Sequence, residues 1–418
     1  MDPMTPKTRS VRVDSLMNSS PIPTVHKTLT LPDLCDDVLL LICNLLKHHH
    51  HQQTPWKHLS LTNRRLYHLL TPQLFNTIRI TAPLKALDPN TLTPHLHHHV
   101  RTLKIDMFGS LWWWCSGAYV SSSDAIDLFT FMRSLLRLER LEVRMMSRSL
   151  DIFSTAFTEC SSSLSPELFE LRGVKTLTVN SSAAFLVTHC PDLETLVLKG
   201  KGDGEDCAME KYTDLESLFE TMPPPSLRND QDSLFKCAEG LRSFDGSASW
   251  SLPELTFLTT TFPHLHHLVL RSESYCYRAD VASMMRVLGP CLKQLKRLQI
   301  SKIEYLEMGY RGLWKRAVME CKTEEARRAL WEHNEKRRVV AENEVARLAF
   351  ASLGALKELW VGEQRVARRS QQTNEGVQQS WIWDRRADTV GDYAVVGTMW
   401  AKYQKEREDV IERSELGM

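Results

Sequence analysis

The sequence has ten cysteines but no Cys-x-x-Cys pair. Zinc ribbons need that spacing, and small secreted scaffolds need cysteines packed densely into a short chain. Thiols scattered over 418 residues point to a reducing compartment, the cytoplasm and/or the nucleus. Long apolar runs are also missing. A bilayer span takes roughly 20 apolar residues, and the run Val38–Cys43 with Leu45 and Leu46 falls well short. Residues 1–30 carry no continuous apolar core of the signal-peptide kind and read as a disordered leader. Charge of one sign is not in excess. At a net +1, no long-range field draws the chain to nucleic acid or to a membrane, and neither is expected as a partner.

Catalytic signatures are missing too. There is no G-x-S-x-G, no H-E-x-x-H and no EF-hand spacing. Gly200, Gly202 and Gly204 follow an expected strand, but the last glycine of a phosphate loop is absent and acidic residues follow at once. The histidines His48–His51, His95–His99 and His264/His266/His267 are consecutive or nearly so. Neighbouring side chains in a loop point apart, whereas zinc needs three or four convergent ligands on a rigid element. In the third group, one of His266 and His267 is expected to face the core and the other to face outward. The expectation is therefore no catalytic, cofactor or metal site, and no enzyme. An active centre assembled across distant insertions is the alternative.

What is present is apolar patterning. The chain is 42% hydrophobic and 25% charged, enough for a large core arranged as two or three domains or as one elongated array. In "LPDLCDDVLLLICNLLKHHHH", Asp36 and Asp37 suit the first turn of a helix running to about Leu46. Val38, Leu41, Ile42 and Leu45 recur at helical spacing, and Leu39, Leu40, Cys43 and Leu46 widen the stripe to more than one side. A short helix apolar on two sides must be covered on both. One or two further short helices follow in "TPWKHLSLTNRRLYHLLTPQLFNTIRI", with Ser60, Thr62 and Asn63 as caps and Thr71-Pro72 as the stop.

A second pattern fills most of the rest. The segments "VRTLKID", "LERLEVR", "VKTLTVN", "LETLVLK", "LRSFDGS", "LHHLVLR", "LKRLQIS" and "LKELWVG" begin at Val100, Leu138, Val174, Leu193, Leu241, Leu265, Leu295 and Leu356. Seven fit L-x-x-L-x-L with aliphatic substitution, and the copy at Leu241 is degenerate. Each predicts a short strand with one face buried. In "FLVTHCPDLETLVL" and "FLTTTFPHLHHLVL" a helical stretch ends at Pro191 or Pro263 and delivers such a strand. That is the unit of a leucine-rich repeat, although these copies are spaced irregularly, between 19 and 61 residues apart. The fold class expected is α/β: a short N-terminal helical hairpin, then a divergent solenoid over residues 81–362. An ordinary α/β domain is the alternative. Insertions are expected at about 108–124, 200–236, 301–350 and 363–418. The third reads as a charged helix with Glu324/Arg328 at i, i+4, and the last as a capping strand and helix. Trp112, Trp113 and Trp114, three adjacent aromatics just after a strand, are a candidate contact for a protein target.

Residues 31–80 resemble an F-box. The resemblance rests on Leu34, Asp36, Asp37, Val38, Leu39, Ile42, Leu45 and Leu46, followed by Leu59-Ser60-Leu61, Arg64-Arg65, Leu66 and Phe75. Cys35, Asn63 and Leu66 stand where the family keeps a proline, a cysteine and an aromatic, and the linking loop is longer and rich in histidine. The resemblance implies docking to the adaptor subunit of an SCF-type cullin–RING ubiquitin ligase and, through it, to cullin. Leu34, Val38, Leu39, Ile42, Leu45, Leu46, Leu59 and Leu61 would bind the adaptor, and the repeat array would hold a protein substrate. A scaffold that uses its repeat surface alone, with a degenerate F-box, is the alternative.

Overall fold

The computed structural model describes residues 34–49, 54–80, 94–106, 121–144, 152–157, 170–199, 239–248, 250–272, 277–310, 320–321, 323–362, 365–370 and 381–385. The expected leader at 1–30, the insertion at 200–236 and the helix from about Asp392 lie outside the described residues. The chain divides into two compact units, Met1–Leu74 and Phe75–Met418.

The first unit holds three helices: α1 (Asp36–His49), α2 (Thr54–Thr62) and α3 (Arg64–Leu74). Leu39 and Cys43 of α1 stand four residues apart and are buried, as are Leu66 and Leu70 of α3. Cys43 and Leu70 meet, with Leu59 and Leu74 packed against them. Burial pushes the Cys43 thiol up, so it serves as a small apolar filler. The start of α1 is pinned to α3 by Arg65, whose guanidinium donates to Asp36 Oδ1 and, at 3.0 Å, to the Leu34 carbonyl. Asn63 caps α3 through Oδ1, which accepts the Arg65 N–H at 2.7 Å. Ser60 and Thr62 instead donate back to the carbonyls of Lys57 and Leu59. The expected stop at Thr71-Pro72 does not occur. Pro72 lies inside α3, close enough to its end that the missing N–H removes one bond only.

The second unit is built on one eleven-stranded sheet in chain order. Its strands are β1 (Thr77–Ile80), β2 (Thr102–Asp106), β3 (Arg140–Arg144), β4 (Thr176–Asn180), β5 (Thr195–Lys199), β6 (Ser243–Ala248), β7 (His267–Ser272), β8 (Arg297–Ile300), β9 (Glu358–Val361), β10 (Arg365–Arg369) and β11 (Trp381–Arg385). Strands β1 to β9 are parallel. All eight sequence segments become neighbouring strands, β2 to β9. Strand β1 belongs to this sheet, so the boundary between units falls at Leu74 rather than at residue 80.

The register aligns like with like. Leu103, Leu141, Leu177, Leu196, Phe244, Leu268, Leu298 and Leu359 form one ladder through the core. The segments' first residues are buried as well, so the first, fourth and sixth positions face the same core. A fixed hydrogen-bond pattern repeats at each entry. The carbonyl of the second residue accepts two N–H groups from the next segment: Arg101 from Glu139 and Arg140, both at 2.9 Å, and so on to Lys296 from Lys357 and Glu358, at 2.8 and 3.0 Å. This turn brings both the second and the third positions outward. Neither His266 nor His267 faces the core, contrary to strict alternation: Leu265 and Leu268 do.

The connecting elements cover the buried face. They include α4 (Pro94–His97), α5 (Ser122–Ser134), a 3-10 segment (Ser181–His189), α6 (Leu252–Thr261), α7 (Val281–Cys291) and α8 (Glu324–Ser352). Capping boxes at Ser121/Asp124 and Ser251/Glu254 start α5 and α6, and Asp280 and Thr323 cap α7 and α8. Thus residues 121–124 begin a packed helix rather than end an insertion. The charged helix expected at 301–350 is likewise part of the packed array. The later part of α8 buries Ala341, Val345, Ala346, Ala349 and Phe350 in the common core ahead of β9, and Glu324 pairs with Arg327. Glu342 is fully buried and is met by Arg338 at 3.3 Å and by Arg365 of β10 at 3.0 Å. Strand β10 pairs antiparallel with β9, and β11 pairs antiparallel with β10 at the edge of the sheet. Trp381 stacks on Phe350, and Trp383 donates to Asn343 at 2.7 Å.

The degenerate copy at Leu241 has a packing explanation. Gly246 occupies the ladder position where its neighbours carry Leu198 and Leu270. The rings of Phe244 and Trp250 fill the space, and a Cβ on Gly246 would come within 2.6 Å of Phe244. Trp250 is fully buried and donates to the Arg271 carbonyl at 2.7 Å. Gly246→Val, which restores the common pattern, is expected to destabilise the second unit by about 1–3 kcal/mol through overpacking. Urea denaturation measures this, and an unchanged or raised midpoint contradicts it.

Candidate functional site

Two surfaces stand out among the described residues. The first lies on α1. Val38, Leu41 and Leu45 are spaced at three and four residues, so they share one side of the helix. They are 40%, 59% and 54% exposed, while Leu39 on the opposite side is 2% exposed. Large aliphatic side chains open to water in one stripe form an apolar patch of the kind found at interaction sites. On α2, Leu61 is 82% exposed.

The residues expected to bind an adaptor therefore divide. Val38, Leu45 and Leu61 are open, and Leu34 and Ile42 are half-buried. Leu39 is turned into the unit's own interior, and Leu59 packs against its small core. The side chain of Leu46 lies outside the described residues. Leu41, in the original spacing pattern but not among the expected contacts, is the most open of the α1 stripe. The residues at the three departures have local roles or positions of their own: Leu66 is buried, Asn63 caps α3, and Cys35 is exposed.

The second surface is the outward face of the sheet, opposite the helices. Its residues are the third and fifth positions of each segment and the one that follows the sixth. On β3 they are Arg140, Glu142 and Arg144. Glu142 is the electrostatic centre. It accepts Lys104 Nζ of β2 and Lys199 Nζ of β5, each at 2.9 Å, and Arg144 lies at 3.4 Å. Burial alone would raise this carboxyl, but the hydrogen bonds and charges of Lys199 and Lys104 overcome it and hold it at about 2. Further along, pairing is more even: Arg271 with Asp245 at 2.9 Å, and Arg368 with Glu358 and Asp384. Arg297 stacks over Trp360 at 4.4 Å.

The expected target contacts Trp112, Trp113 and Trp114 all lie outside the described residues. No group of three or more His, Cys, Asp or Glu among the described residues is arranged to hold a metal ion. Within the second histidine cluster, His98 and His99 have ring centroids 3.7 Å apart, and burial together with neighbouring charge lowers His99. No described helix is long and apolar enough to cross a membrane.

The depressed Glu142 carboxyl links stability to acidity. Its contribution is present above the unfolded value near 4.5 and is lost as pH falls through about 2. Glu142→Gln is expected to flatten that part of the stability–pH profile, and denaturant titrations at successive pH values measure it. A variant that loses stability on acidification as steeply as the parent contradicts the assignment. Compared with models of known protein families and with curated proteins, the chain matches none.

Proposed function

We propose that this chain is the substrate-recognition subunit of an SCF-type cullin–RING ubiquitin ligase. In this reading the helical unit is an F-box that docks to the adaptor, and the sheet unit is a divergent leucine-rich-repeat array that holds the target. The single observation that carries the docking step is the open stripe Val38, Leu41 and Leu45, on a helix whose other side is already buried within its own unit. Covering each such side chain contributes up to about 1.5–3 kcal/mol, so three or four of them offset much of the several kcal/mol that association costs.

The array reading is supported by the common register of β2 to β9 and by the same two-donor carbonyl at every entry. Equivalent hydrogen bonds across unequal chain lengths are what repeats with insertions produce. Mechanistically the chain supplies proximity. It raises the effective concentration of target lysines near the ubiquitin-carrying end of the ligase. The chain acts in the cytoplasm or the nucleus, where that machinery operates.

Val38→Asp with Leu45→Asp is expected to lower adaptor affinity on the order of a hundredfold. Both positions are open, so the helical signal in circular dichroism stays unchanged. A pull-down of the full chain with purified adaptor reads the effect. Undiminished capture of the double variant, or no capture of the parent, removes the docking claim and leaves a scaffold that works through its sheet surface alone.

A further inference from the structure

The outward face of the sheet is not electrically uniform. Over β6 to β11, Asp245, Glu358 and Asp384 stand against Arg271, Arg297 and Arg368, so charge is balanced. Over β2 to β5 it is not. Asp106 is taken by Arg79 of β1 at 2.6 Å. Among the described residues of these strands, that leaves the single carboxylate of Glu142 among Lys104, Arg140, Arg144 and Lys199. Three of these cations share the one anion. The Arg140 side chain is exposed and makes no ion pair or hydrogen bond among the described residues. In register it lies between Thr102 and Thr176, which flank it on the neighbouring strands.

We propose that this basic section of the sheet, β2 to β5, binds an extended acidic peptide segment of the target protein. The inference rests on reading the sheet as a protein-binding surface and is separate from adaptor docking. Charge complementarity selects the occupant. Among the described residues of these strands, positive charges exceed negative by three once Asp106 is paired with Arg79, and two of the cationic side chains are already oriented by Glu142. It spans three inter-strand steps, about 14 Å. An extended peptide advances about 3.3 Å per residue, so four or five residues cross it. Acidic side chains at alternate positions of such a peptide point the same way, roughly 7 Å apart. That places one near Arg140 and the next toward Lys199. Nucleic acid fits less well. Among the described residues this face presents no aromatic ring to stack a base, and the net charge of the whole chain is only +1.

The test is fluorescence anisotropy on the full chain with three labelled probes: a peptide alternating glutamate and serine, its glutamine counterpart, and single-stranded RNA. The glutamate peptide is expected to bind at least tenfold more tightly than the glutamine peptide, with affinity falling as salt rises. Arg140→Glu and Lys199→Glu are each expected to weaken it severalfold. Arg286→Glu, on the helical side at α7, leaves it unchanged. Arg140 is unpaired and exposed, so its variant keeps the fold, and thermal melts verify this. Equal binding of the two peptides, indifference to Arg140→Glu, or RNA binding tighter than the glutamate peptide overturns the proposal. Adaptor capture by the same preparations separates the two readings. Capture without peptide selectivity defeats this inference alone, and selectivity without capture defeats the ligase reading alone.

Discussion

The carbonyl of the second residue in each segment meets two N–H groups of the next segment, and the sheet is built on that contact. Here a chain leaving a helix must enter a strand beside the previous one. At that point its backbone donors are leaving water and need partners. One shared carbonyl satisfies two of them and also fixes the register. Once register is fixed, the first, fourth and sixth positions of every segment face the same core, and their apolar character follows.

This arrangement explains how the sheet tolerates unequal connections. The contact involves only residues at the strand entry. A connection of any length that returns the chain to that entry forms the same bonds, and the closure entropy grows only with the logarithm of its length. Loops between strands vary widely while the ladder remains continuous from β1 to β9. The end of the ladder is treated differently. Strand β10 reverses direction, β11 turns back along it, and Arg365 of β10 reaches the buried Glu342 of α8. A fully buried carboxylate is costly unless it is paired, so this contact ties the hairpin to the last helix.

The outward face answers to a different rule. Freed from packing, its positions record charge rather than shape. Glu142 gathers cations from three strands, and no single segment of sequence displays that grouping, since Lys104, Glu142 and Lys199 lie far apart in the chain. The α1 stripe is the converse case: it is local, and its spacing is visible in the sequence.

The strands, their alternation, the helical start at Asp36 and the apolar breadth of α1 are legible in the chain alone, because these depend on residues within one or two turns of each other. A further local signal precedes several of the segments. Before four segments an apolar residue three places upstream, Leu135, Leu171, Leu292 or Leu353, is buried and offers its carbonyl to the segment's first N–H. Packing selects which side of α1 is open, so that Leu39 is lost to the interior and Leu41 is open. It also decides that α8 packs against the sheet for half its length, that Thr77–Ile80 joins the sheet, and that Gly246 yields its place to two rings. Each of these turns on which neighbour occupies a given volume, and periodicity along one chain does not carry that information.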